Sequence, residues 1–236
     1  MKTLALELST ARGSLAWLNG EFEFTRDWPN DRKNSAAFFE HLQAARQKFG
    51  APERIIVGLG PGSYAGTRIA ISAAIGMQLS CDARLIGYLS ICAMEYDAKD
   101  YFVIGDARRK SFFFARILKN EVIEGPTLFS ELELKAKLDS LDPTIPVLSS
   151  DSLPQFHRTT ISFPSALILA RLAKEIRRSF CLPPLEPFYL REPHITFPKT
   201  GTYACSLCAT RTCLSPFVQL LGKLSGLDTQ TSGLCS

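Results

Sequence analysis

The chain opens on an apolar run with polar insertions, TLALELS at residues 3–9, and a second run, SLAWL at 14–18, follows after Thr10–Gly13. Two such runs around a short polar turn predict a β-hairpin. Residues 21–28 (EFEFTRDW) alternate polar and aromatic positions, which predicts a third strand with one buried face. Residues 29–34 (PNDRKN) read as a polar loop. Ser35 reads as the N-cap of a helix to about Phe49, stopped by Gly50–Pro52. Phe38, Leu42, Ala45 and Phe49 make one apolar stripe along it at helical spacing.

The most distinctive stretch is Arg54–Leu79, RIIVGLGPGSYAGTRIAISAAIGMQL. Ile55–Leu59 reads as a buried strand. Gly58, Gly60, Gly62 and Gly66 gather around Pro61 and Ser63 in a tight turn. From about Thr67 to Leu79 the chain carries neither charge nor proline after Arg68, and it reads as a helix. A helix N-terminus behind a glycine turn presents free N–H groups to an anion. The same glycines also let a helix pack closely on a sheet. Thr67 and Arg68 follow Gly66 where a Walker A loop needs Lys and Ser/Thr, so the weight falls on packing. The helix is apolar all round, with Ala70, Ala74 and Met77 on one side and Ile71, Ile75 and Leu79 on another. Paired with the stripe on 35–49, it predicts a two-helix face of Phe38, Leu42, Phe49, Ala70, Ile71, Ala74 and Met77 for docking another protein. The alternative is a helix pair satisfied within the chain.

A strand at Arg84–Tyr88 and a short helix from Ser90 to about Ala98 complete a first lobe, residues 1–100. The pattern then starts again. Strands are expected at Tyr101–Asp106, Ser111–Leu118 and Glu121–Phe129, and a helix capped by Ser130 runs to about Leu138. A strand at Ile145–Ser149 and a helix capped by Ser165 to about Arg178 follow. The second lobe, 101–198, thus echoes the first in element order without sequence self-similarity. The turns after Ser9 and after Asp106 would face each other across a cleft. Residues 181–198, with five prolines, read as an extended closing segment, and 199–236 as a cysteine-containing, poorly ordered tail.

Composition changes this picture little. The chain has 236 residues, 46% hydrophobic and 21% charged, which suits a globular protein with a substantial core. A net charge of +4 is a mild bias, and the densest basic run is only Arg108, Arg109 and Lys110. The N-terminus lacks a signal-peptide pattern and no stretch is apolar enough to span a membrane, so a cytoplasmic protein without membrane contact is expected. Cys81, Cys92 and Cys181 read as buried free thiols. Cys205, Cys208, Cys213 and Cys235 offer a weak zinc possibility, because only the first pair has ligand spacing. His41, His157 and His194 are isolated, with no HxxxH spacing, which leaves a peptidase reading unsupported.

Four motifs fall in a telling order: LALELST (4–10), GPGSYAGTRIAIS (60–72), GDARRKSFFFA (105–115) and PFYLRE (187–192). Over about residues 1–198 the chain resembles the TsaB (YeaZ) family of bacterial tRNA threonylcarbamoyladenosine biosynthesis proteins. The resemblance implies an α/β, two-lobed fold of the actin, sugar-kinase and heat-shock-chaperone superfamily. It implies a non-catalytic partner subunit that binds and activates TsaD through the helix face 35–49/67–79, with TsaE joining them. TsaD transfers threonylcarbamoyl to the adenosine next to the anticodon of ANN-decoding tRNAs. A homodimer in isolation, and contact with tRNA only through the complex, are further implications. The superfamily carries an Asp on the first hairpin for metal and phosphate. Here the matching run is Glu7-Leu8-Ser9-Thr10, where the family has Asp-Thr-Ser-Thr. That departure implies a degenerate nucleotide site of Glu7, Ser9, Thr10 and Asp106, with no cofactor required and any ATP or ADP with Mg confined to the partner complex. Glu7 and Asp106 are then expected to cap turns or pair with Arg108 or Arg109. A stand-alone ATPase or kinase-like protein is the competing reading. Direct tRNA binding would rest on Arg108, Arg109, Lys110, Arg171, Lys174, Arg177 and Arg178, and such basic faces are usually solvated.

Overall fold

The N-terminal hairpin seeds a five-stranded sheet. In the computed structural model, which describes residues 1–30, 35–175 and 177–191, β1 (Lys2–Glu7) pairs antiparallel with β2 (Arg12–Asn19), and β2 with β3 (Phe22–Pro29). On the other side of β1, β4 (Arg54–Gly58) and β5 (Arg84–Tyr88) add in parallel, giving the order β3-β2-β1-β4-β5. The second sheet holds β6 (Asp100–Asp106), β7 (Ser111–Leu118), β8 (Glu121–Ser130), β9 (Val147–Ser149) and β10 (Thr159–Ile161). Its order is β8-β7-β6-β9-β10, with the same strand directions. The repeat seen in element order is therefore a repeat of topology.

Side chains alternate across β1. Leu4, Leu6 and Leu8 face a core closed by α1 (Ala36–Phe49) and α2 (Tyr64–Cys81), whose Phe38, Leu42, Ala70, Ala74 and Met77 cover it. Ala5 faces the opposite way, into a core shared by both sheets with Ile56, Tyr101, Val103, Phe113 and Leu148. The short helix α4 (Ala166–Leu172) lies in that shared core through Ala166, Leu169 and Ala170. The far face of the second sheet packs Phe102, Ile104 and Phe114 against Leu134 and Leu138 of α3 (Glu131–Ser140).

Both ends of α4 are held by the first sheet. The buried Ser14 hydroxyl on β2 accepts from the Ala166 N–H at 2.9 Å. The Arg54 guanidinium on β4 donates to the Ala173 carbonyl. Ser165 stands at the N-cap position but makes no side-chain cap.

Several expectations need correction. The helix expected to run to Arg178 stops at Leu172. Its cations serve tertiary partners: Arg171 grips Glu23 at 2.6 Å, Lys174 donates to the Gly20 carbonyl, and Arg178 donates to the carbonyls of Lys119 and Asn120. The helix expected at 90–98 is only a 3₁₀ turn, Ser90–Ala93. Main-chain groups beyond it are taken by the 163–165 segment, through Glu95 N to Phe163 O and Ser165 N to Ala93 O. Ser35 occupies the N-cap of α1 without a side-chain bond, whereas Ser130 forms a full capping box with Glu133. Helix α2 starts at Tyr64, ahead of Thr67, because the Ser63 hydroxyl caps it. Strand β10 was not anticipated; at three residues it is too short to show an alternation.

Replacing Ser14 by Ala strands a helix-terminal N–H in a dry seam. It is expected to lower stability by about 1–2 kcal/mol, whereas Ser165→Ala stays within about 0.5 kcal/mol. Urea unfolding of the two variants side by side checks the assignment.

Candidate functional site: the cleft between the sheets

The carboxyl ends of β1, β4, β6 and β9 converge, the place where α/β folds bind ligands. They line a cleft of about 430 Å³ with Ser9 and Thr10 after β1, Pro61–Ala65 after β4, Asp106–Arg108 after β6, and Ser150 and Asp151 after β9. The closing segment Phe188–Arg191 forms the remaining wall.

The glycine turn sets the first wall. The Ser63 N–H donates to the Ser9 carbonyl at 2.5 Å. A Cβ on Gly62 would overlap that carbonyl, and one on Gly66 would overlap the Leu8 carbonyl. Glycine is needed at both positions to seat the start of α2 on the β1–β2 turn. The closing segment is tied to the same turn. Phe188 N donates to the Leu59 carbonyl at 2.7 Å, and the Tyr189 ring stacks on Tyr64 with centroids 5.2 Å apart. Arg68 donates to the Tyr64 hydroxyl at 2.5 Å.

The expected nucleotide residues divide. Ser9, Thr10 and Asp106 line the cleft, but Glu7 does not. Glu7 is fully buried beneath it, facing away from the helices as the alternation along β1 requires. Its Oε1 accepts from the Ser9 N–H at 2.6 Å and closes the turn, while Oε2 lies unbonded against Gly58, where a Cβ would collide with it. Burial pushes the Glu7 pKa up, and the nearby Ser9 and Ser90 hydroxyls offset this only in part. Asp106 also closes its own turn, accepting from the Arg108 N–H at 2.7 Å and pairing with the Arg108 guanidinium at 3.1 Å. Asp151, which sequence reading missed, accepts from the Asp106 N–H at 2.9 Å. The signal for it was the repeat itself: Asp151 follows β9 as Gly60 follows β4. The Tyr64–Tyr189 stack was missed because its partners are far apart in sequence.

The expected docking residues are corrected more sharply. Phe38, Leu42, Ala70, Ile71, Ala74 and Met77 are all buried in the chain's own core. Phe49 is half-buried, its ring stacked on Trp17 at 5.4 Å. These side chains face the sheet, because a sheet needs one full helix stripe to cover it. The outward strip of α2 is instead Ser72, Ile75, Gly76 and Leu79, with Leu79 83% exposed. Of the thiols expected to be buried, only Cys92 is; burial pushes its pKa up to about 12. Cys205, Cys208, Cys213, Cys235 and His194 lie outside the described residues. Among the described residues no three His, Cys, Asp or Glu side chains gather as a metal set. No described helix is long and apolar enough to cross a membrane.

Two mixed five-stranded sheets of one strand order, flanked by helices around a cleft, define a two-lobed α/β fold. Within that class the fold is YeaZ-like. It is similar to the crystal structure of an uncharacterized protein with similarity to peptidase YEAZ from Pseudomonas aeruginosa, at TM-score 0.66 and 18% identity, covering 80% of this chain and 99% of that one. It is also similar to YeaZ from Pseudomonas aeruginosa, at TM-score 0.59 and 16% identity, over 74% of this chain and 91% of that one. No protein-family model matches the chain, and no curated protein matches it significantly.

A raised carboxyl pKa in the folded state means that the folded chain holds a proton which the unfolded chain releases. Glu7 therefore costs stability as pH rises above its ordinary value of 4.5, until its folded pKa is passed. Glu7→Gln keeps an acceptor for Ser9 and should flatten that fall. Urea unfolding of both proteins at acid and neutral pH reads the difference.

Proposed function

We propose that this chain is the non-catalytic, TsaB-type partner subunit of the complex that installs threonylcarbamoyl next to the anticodon of ANN-decoding tRNAs. The observation that carries this reading is the fold match across 99% of a YeaZ-like structure, on a chain that shows the family's motifs in order. The state of the cleft supports an accessory role. Glu7 is buried away from solvent and Asp106 is already engaged by Arg108, so neither carboxylate is poised for phosphate-bound metal. ATP or ADP with Mg would act at the partner complex, where Ser9, Thr10 and the start of α2 face any shared pocket. Under this proposal TsaD docks on the outward strip of α2, TsaE joins the pair, and a second copy of the chain uses the same strip in the absence of TsaD.

Leu79 is the exposed anchor of that strip, and burying such a side chain contributes about 1.5–3 kcal/mol. Leu79→Arg is expected to abolish co-purification with TsaD while leaving thermal unfolding unchanged. Ala74→Arg would instead force a guanidinium into the core and unfold the chain. The deciding experiment is reconstitution of the tRNA modification with TsaD and TsaE. Modification that depends on this protein supports the proposal, and equal modification without it sinks it.

A further inference from the structure

The two hairpin turns of the second sheet both use backbone that L-residues disfavour. Lys119 and Asn120, between β7 and β8, have φ of 50° and 62°. Arg108, Arg109 and Lys110, between β6 and β7, have φ of 63°, 55° and 58°. Left-handed backbone costs about 1–2 kcal/mol per non-glycine residue. Turns of this hand favour Asn-Gly or Asp-Gly at their centre.

At the first turn the cost is offset inside the fold. The Asn120 carbonyl accepts from the Tyr88 hydroxyl at 2.7 Å and from Arg178, and its side chain donates to the Cys92 carbonyl at 2.7 Å. At the second turn only Arg108 is used, held by Asp106 at 3.1 Å. The Ser111 N–H returns to the Arg108 carbonyl at 3.1 Å, which leaves Arg109 and Lys110 at the centre of the turn. Both are exposed, and among the described residues neither side chain has a hydrogen-bond or ion-pair partner. Of the other basic residues the sequence offered, Arg171 is spent on Glu23, Lys174 on Gly20, and Arg178 on Glu175 and the β7–β8 turn, while Arg177 is exposed and, among the described residues, has no hydrogen-bond or ion-pair partner.

We propose that Arg109 and Lys110 form a contact site for the phosphate backbone of RNA. Resting on the function proposed above, that RNA is the tRNA undergoing modification. A strained turn that would be more stable as Asn-Gly carries two unpaired cations that do nothing for the fold. Arg109 and Lys110 are the exposed residues at the centre of the turn, and charge is what they offer a ligand. A ligand of regularly spaced phosphates is the chemistry such a site fits. Arg108 stiffens the turn through Asp106, and Arg109 and Lys110 touch the ligand.

The test uses the isolated full-length chain, so that its outcome does not depend on pairing with TsaD. Binding of fluorescent bulk tRNA is measured by anisotropy across a salt series starting at about 50 mM. The key variant is Arg109→Asn with Lys110→Gly, which relaxes the turn as it removes the charge. It should melt about 2–4 °C higher than the parent. It should bind tRNA about tenfold more weakly, with a log–log salt slope shallower by about 2. Arg171→Ala with Lys174→Ala, at and just beyond the end of α4, should bind within about twofold of the parent. Four results would overturn the site: no tRNA binding by the parent, undiminished binding by the tip variant, a lower melting point for that variant, or equal binding of the parent to polyglutamate of matched charge, which would point to an acidic protein instead.

Discussion

The rest of the structure depends on how α4 is held. A helix of seven residues is too short to be stable alone. Its ends are completed from outside, by a hydroxyl on β2 and a guanidinium on β4, and its apolar side sinks into the core shared by both sheets. The helix follows the second sheet in sequence, yet its contacts are chiefly with β1 and β2. That crossing of the two halves makes one core of them and fixes the strand ends that frame the cleft.

At the cleft and beneath it, two acidic groups hold backbone turns. Glu7 and Asp106 each close the turn that follows their own strand. Glu7 does so without a charged partner, and the glycine at position 58 leaves room for its second oxygen. A carboxyl placed like this trades stability for a fixed main-chain path at Ser9. The path matters because the Ser9 carbonyl receives the N–H of Ser63 and so seats α2.

The sheets were legible in the sequence because their strands alternate or run apolar, and because polar turns separate them. The duplicated element order was legible too, although the identity of strand order in the two sheets required coordinates. Helix ends were read less well. Ser165 has the right chemistry for a cap, but the cap comes from Ser14, which is remote in sequence. The site was legible as a place and misread in its details. The glycines pointed to the turn, yet no sequence pattern shows that Glu7 is sealed off or that Tyr189 returns to stack on Tyr64. The α2 stripe was misassigned for a physical reason: a helix apolar on every side gives no sign of which side its own sheet takes.

The duplication is incomplete, and this gives the cleft a direction. Between β4 and β5 the chain builds α2, with its dipole ending at the cleft wall. Between β9 and β10, the equivalent place, residues 150–158 form no helix. One bank of the cleft is thus a stiff, electropositive helix end, and the other is a loop that presents the carboxylate of Asp151. The two sheets repeat one topology, yet the cleft between them is polarised, with a positive bank at the glycine turn and a negative one at Asp151.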